Sequence, residues 1–88
     1  MYLLERLKKD DKEAFRLIYV KHYGILYSYS YRYIKNKEDV EDIIQNVFVK
    51  FWDIRKELDI SVNIRAYLLI TVEHQTFNWI RNYNTIGF

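Results

Sequence analysis

The 88 residues contain no proline and only two glycines. Glycine supplies the positive φ that tight turns need, and proline presets others, so a chain nearly free of both has little turn chemistry. That scarcity favours long helices joined by short polar breaks. Such breaks fall at 8–12, 35–39 and 57–63. They divide the chain into three long helical stretches preceded by a short N-terminal helix. The expectation is an all-α fold, a compact bundle forming a single domain over 1–88.

Other classes drop out. Without cysteine there is no disulfide scaffold and no thiolate metal site. No apolar run approaches the roughly 18 residues of a membrane span, so membrane insertion is not expected. The opening Met-Tyr-Leu-Leu-Glu-Arg puts charge inside its apolar stretch, unlike a secretory leader, so the expected location is cytoplasmic. The net charge is only +2, with pI near 8.8. A domain that held nucleic acid by charge alone would carry more. The nine Tyr, five Phe and two Trp exceed what the charge pattern explains. They can fill a small core, or supply stacking faces for bases or a protein partner.

The first long stretch opens on Asp10-Asp11-Lys12-Glu13, with Asp10 as expected N-cap and Glu13 completing a capping box. Phe15, Ile18, Tyr19, His22, Leu26, Tyr29, Ser30 and Tyr33 then share one helical face. Val20, Tyr27 and Tyr31 form a flanking strip, and Gly24 marks a candidate kink or break.

The second stretch, 38–58, has the cleanest pattern. Glu38, Asp39, Glu41 and Asp42 gather where the helix dipole favours acids. Val40, Ile43, Ile44, Val47, Phe51 and Ile54 make the apolar face, with Phe48 at its edge. The opposite face carries Asp42, Gln45, Asn46, Val49, Asp53 and Lys56, flanked by Trp52. A valine and a tryptophan among acids and amides fit a protein-binding face better than a merely solvated one.

The third stretch covers 63–81. Ile64, Leu68, Thr71, Val72, Gln75 and Trp79 define its core face. A second stripe of Asn63, Tyr67, Ile70, His74, Phe77, Asn78 and Arg81 falls within roughly a third of the circumference. Rings mixed with amide, imidazole and guanidinium groups suit unstacked bases, which need a π-face and hydrogen-bonding edges.

The run Glu38-Asp39-Val40-Glu41-Asp42-Ile43-Ile44-Gln45-Asn46-Val47-Phe48-Val49-Lys50-Phe51-Trp52 resembles region 2.2 of bacterial sigma factors, most of all the extracytoplasmic-function (ECF) group. Asp11-Lys12-Glu13-Ala14-Phe15-Arg16-Leu17-Ile18-Tyr19 is similar to the start of region 2.1. Asn63-Ile64-Arg65-Ala66-Tyr67-Leu68-Leu69-Ile70-Thr71-Val72 is similar to region 2.4. The style also resembles sigma factors of Bacteroidetes.

The resemblance implies a non-enzymatic transcription-initiation domain with no cofactor. Its partners would be the clamp helices of the largest subunit of core RNA polymerase, the non-template strand of the minus-ten promoter element and an anti-sigma factor. Carried over by motif, Asp42, Gln45, Asn46 and Val49 would meet polymerase, with Trp52 and Asp53 at the rim. DNA would be met by the loop at 58–62, including Ser61, and by Asn63, Arg65, Tyr67, Ile70, His74, Asn78 and Arg81, with Lys56 nearby. Many relatives carry Asn where this chain has His74, preceded by an Arg-like position that is Glu73 here. A complete ECF factor also has a linker and a helix-turn-helix domain, so the chain is expected to be a fragment. Weak charge suits this mechanism, because tethering to polymerase supplies effective concentration and base capture then relies on pocket shape.

Plainer readings stand beside these. Apart from the motif, Asp42 and Gln45 fit a solvated face. Lys56 and Arg65 fit solvation or phosphate contact equally, and His74 fits surface or base contact. The acids at 38–42 complement a helix dipole rather than form a metal or acid–base site, since neither His22 nor His74 has ligand spacing. No phosphate loop or nucleophile elbow is present. The alternative function is a helical protein–protein adaptor without DNA specificity.

Overall fold

In the computed structural model, which describes residues 2–86, four helices follow one another: α1 (Tyr2–Lys8), α2 (Lys12–Ile34), α3 (Lys37–Asp53) and α4 (Ile64–Ile86). A single 3-10 turn, Arg55–Glu57, follows α3. The ends of the expected 1–88 domain, residues 1, 87 and 88, lie outside the described residues.

Each long helix begins at a side-chain cap. Asp11 has extended backbone, and its carboxylate accepts from the amides of Glu13 at 2.9 Å and Ala14 at 3.3 Å. The cap is therefore one residue later than the Asp10 expected from sequence. Asp10 instead adopts a left-handed φ of 69° and turns the chain from α1 into α2. Glu13 does not close a capping box; it pairs with Arg16 at 2.7 Å. Asn36 caps α3 through the Asp39 amide at 3.0 Å, and Asn63 caps α4 through the Ala66 amide at 2.9 Å. With α3 starting at Lys37, only Glu38 and Asp39 sit in its first turn, so Glu41 and Asp42 contribute less to the dipole.

Gly24 neither breaks nor ends α2, which runs unbroken for 23 residues. Its φ is not positive, and a Cβ built there meets nothing within 4 Å. The helix stops instead at Lys35, whose left-handed φ of 56° lets its amide bond back to Tyr31 O at 2.9 Å.

The core gathers one face from every helix: Leu4 and Leu7 of α1, Ile18 and Leu26 of α2, Val40, Ile43, Ile44, Val47, Phe48 and Phe51 of α3, and Leu68 and Val72 of α4. Phe48 is fully inside rather than at the edge, because α2 as well as α4 packs on α3. Ile54 falls beyond the end of α3 and is half-buried. Among the described residues the buried polar side chains are all satisfied: His22 Nδ1 donates to Ile18 O at 2.9 Å, Thr71 to Tyr67 O at 2.9 Å, and Thr76 to Ser30 across the α2–α4 seam. Along α2 the rings of Phe15, Tyr19, Tyr23, Tyr27 and Tyr31 follow at four-residue steps. Phe15 joins this row to Trp52 of α3 edge-on at 5.2 Å. Most tyrosines of the first stretch are thus packing residues, although Tyr31 and Tyr33 remain exposed.

Candidate functional site

Two faces hold the candidate residues. The first is the outer side of α3. Its apolar residues lock inward, and this leaves Asp42, Gln45, Asn46, Val49 and Asp53 exposed. Val49 is 55% exposed amid these polar groups. Beside it Val49, Trp52, Phe15 and Lys12 line an apolar notch of about 340 Å³. Phe15 and Lys12 come from α2 and were missed in the α3 pattern; only the packing of α2 on α3 brings them to this face. Trp52 is half-buried, held between the Phe15 edge and the Arg55 guanidinium, which lies 3.7 Å over its ring.

The second face runs from the loop after the 3-10 turn along α4. Leu58 anchors the loop in the core. Asp59 then accepts from the Ser61 hydroxyl at 2.7 Å and the Ser61 amide at 2.8 Å. These bonds hold its carboxyl below the ordinary value. Ile60, at the loop's turn, is exposed.

The stripe expected from sequence divides. His74, Asn78 and Arg81 line a cleft of about 520 Å³, with Phe77, Glu73 and Lys50. Arg81 donates to the Asn78 side-chain oxygen. Lys50 reaches this cleft from α3 and was not among the candidates, since only helix pairing reveals which flank of α3 it occupies. Asn63 and Arg65 line a different cleft, about 370 Å³, together with Lys21 and His22 of α2. Ile70 is 54% exposed. Tyr67 is half-buried, its ring 5.8 Å from Phe51, and so belongs partly to the core.

Besides Asn78 and Arg81, three further candidates spend side-chain groups on bonds within the fold. Ser61 is bound to Asp59, Asn63 spends its side-chain oxygen on the α4 cap, and Lys56 pairs with Asp10 at 3.0 Å and Lys8 O at 2.8 Å. Among the described residues, no three His, Asp or Glu side chains converge as a metal site, and no helix is long and apolar enough to cross a membrane.

The Sigma-70 region 2 family matches this chain over residues 18–85. Over 75 residues the chain is 25% identical to the ECF RNA polymerase sigma factor SigX of Bacillus subtilis (strain 168). That alignment covers 85% of this chain and 39% of the relative, so the chain spans well under half of that protein's length. No solved structure matches the chain.

Proposed function

The chain belongs to the Sigma-70 region 2 family, and from that premise we propose that it acts in transcription initiation, docking on core RNA polymerase through α3 and capturing the minus-ten promoter strand along the 58–63 loop and α4. The observation that carries this reading is the outer face of α3. An exposed valine beside a tryptophan-lined apolar notch, ringed by Asp42, Gln45, Asn46 and Asp53, has the apolar centre and polar rim of a docking patch. The clamp helices of the largest polymerase subunit are its proposed partner.

On the second face, the cleft of His74, Asn78 and Arg81 offers amide, imidazole and guanidinium groups beside the Phe77 ring. Those groups support recognition of an unstacked base rather than grip on a duplex. Glu73 on the same cleft offsets part of the cationic charge, which supports local capture aided by polymerase over independent DNA binding. An anti-sigma factor is a further proposed partner, competing for the exposed α3 face.

Capture of the chain by a clamp-helix fragment tests the docking face. Gln45→Ala combined with Val49→Asp should weaken it at least about tenfold, the loss expected when an apolar contact becomes a desolvated charge. Both positions are exposed, so thermal unfolding should barely move. Undiminished capture by the double variant would remove α3 as the docking surface. The adaptor reading draws on the same notch; it is favoured if the chain binds protein tightly but shows no preference among single-stranded sequences in the presence of polymerase.

A further inference from the structure

The segment after α3 is tied to the turn between α1 and α2 by a dense set of contacts centred on Arg55. Its Nε and Nη2 donate to one Asp10 carboxylate oxygen at 3.0 and 2.6 Å. Its Nη1 donates to Trp52 O at 2.7 Å, while the guanidinium plane covers the Trp52 ring. Lys56 adds its ammonium to Asp10 and to Lys8 O, and Lys8 in turn donates to Leu58 O. Leu58 is the first residue of the loop, and the Asp59–Ser61 turn follows directly.

The backbone at Asp10 has a cost. An aspartate at φ 69° sits in the left-handed region that most side chains avoid, and such a conformation persists when its surroundings over-determine it. Here the left-handed turn brings the Asp10 carboxylate onto Arg55 and Lys56, 45 and 46 positions later in sequence. The Arg55 side chain is 16% exposed although it carries a full charge. A planar fork that bridges a carboxylate, a carbonyl and an indole fixes direction as well as distance, which a lysine cannot do.

We infer that Arg55 is a positioning residue for the 58–63 loop, locking the loop's entry to the α1–α2 turn on one side and to Trp52 at the docking face on the other. The inference rests on the proposed function for its purpose, since the loop is the proposed strand-capturing segment. Its structural content stands apart from that reading. The lock makes the loop a preformed surface rather than a flexible tether, and preformed surfaces lose less entropy on binding.

Hydrogen exchange in the isolated chain tests the lock without polymerase or DNA. Arg55→Ala should speed exchange at the Ser61 and Val62 amides about tenfold, the scale of a lost charge-assisted bond. Leu26 and Val47 amides in the core should keep their rates. Asp10→Gly should give the same loop-confined effect while relaxing the left-handed backbone, so any global destabilisation from Arg55→Ala cannot explain both. Arg55→Lys, which keeps charge but not the fork, should restore only part of the protection. Unchanged loop rates, or equal acceleration in loop and core, would overturn the inference.

A second measurement addresses purpose. With core polymerase present at a concentration that saturates both proteins, Arg55→Ala should retain a random-sequence single-stranded oligonucleotide pool about tenfold less well than wild type. Equal retention by variant and wild type would show that the lock does not serve strand binding. Failure of the wild-type chain to bind polymerase or oligonucleotide would count against the proposed function, while the exchange rates would still decide the lock.

Discussion

The Thr76 hydroxyl of α4 donates to the Ser30 hydroxyl of α2 at 2.9 Å, and both side chains are wholly buried. This pair is a buried polar link between α2 and α4, which also meet through the rings of Tyr33 and Phe77 at 5.1 Å. Thr76→Val keeps the shape and removes the donor, so it should cost about 1–3 kcal/mol by stranding a buried hydroxyl. The combined Thr76→Val, Ser30→Ala variant should cost less than the sum of the two changes, because neither orphan remains. Urea unfolding of the four proteins measures the coupling.

Gly24 gives the opposite sign. It lies inside α2 with negative φ and open space where a Cβ would stand. Gly24→Ala should therefore stabilise the chain by about 0.5–1 kcal/mol through lower unfolded-state entropy and better helix propensity. The urea midpoint should rise with unchanged slope.

Acid should loosen the α1–α2 turn first. Bonds from Lys56 and Arg55 hold Asp10 below its ordinary 3.8, and the bond from Arg6 holds Asp11 below the same value. In both cases the folded chain binds the proton less readily than the unfolded chain. Their stabilisation is therefore complete somewhat above pH 3.8 and is lost as pH falls through the lower folded values. Asp11→Asn, which keeps a capping side chain but loses the charge facing Arg6, should be less stable than wild type at pH 6, and the two unfolding midpoints should converge as the pH is lowered toward 2.

The α4 cleft makes a separable prediction. His74 and Asn78 are exposed, so replacing each with Ala should leave the fold intact. In the presence of polymerase, each should lower affinity for a selected single-stranded oligonucleotide about threefold to tenfold, one to two lost hydrogen bonds. Polymerase affinity should not change. Equal loss of both activities would indicate misfolding.

Helix number, order and inner faces were legible because three- and four-residue periodicity reports burial directly, most cleanly in Val40, Ile43, Ile44, Val47 and Phe51. The misreadings arise where tertiary structure overrides local pattern. Asp10 and Asp11 are chemically equal as caps, and only the contacts to Arg55 and Arg6 distinguish them. Thr76 reads as an ordinary polar position until Ser30 lies opposite. For the candidate faces, periodicity separated outward from inward on α3, but one helix's wheel cannot show what a neighbouring helix adds. That is why Lys12, Phe15 and Lys50 were missed, and why the α4 stripe read as continuous although Asn63 and His74 line different clefts.

The row of rings along α2 has an optical consequence. Light absorbed by the phenols from Tyr19 to Tyr31 passes directly to the lower-energy indole of Trp52, which stands beyond Phe15 at the end of their row, at the edge of the α3 face. The second indole, Trp79, stacks on Tyr83 at 5.1 Å as a separate emitter on α4. The chain thus carries two intrinsic indole emitters on different helices. A partner that covers Val49 and Trp52 should alter the emission of one and leave the other as an internal reference.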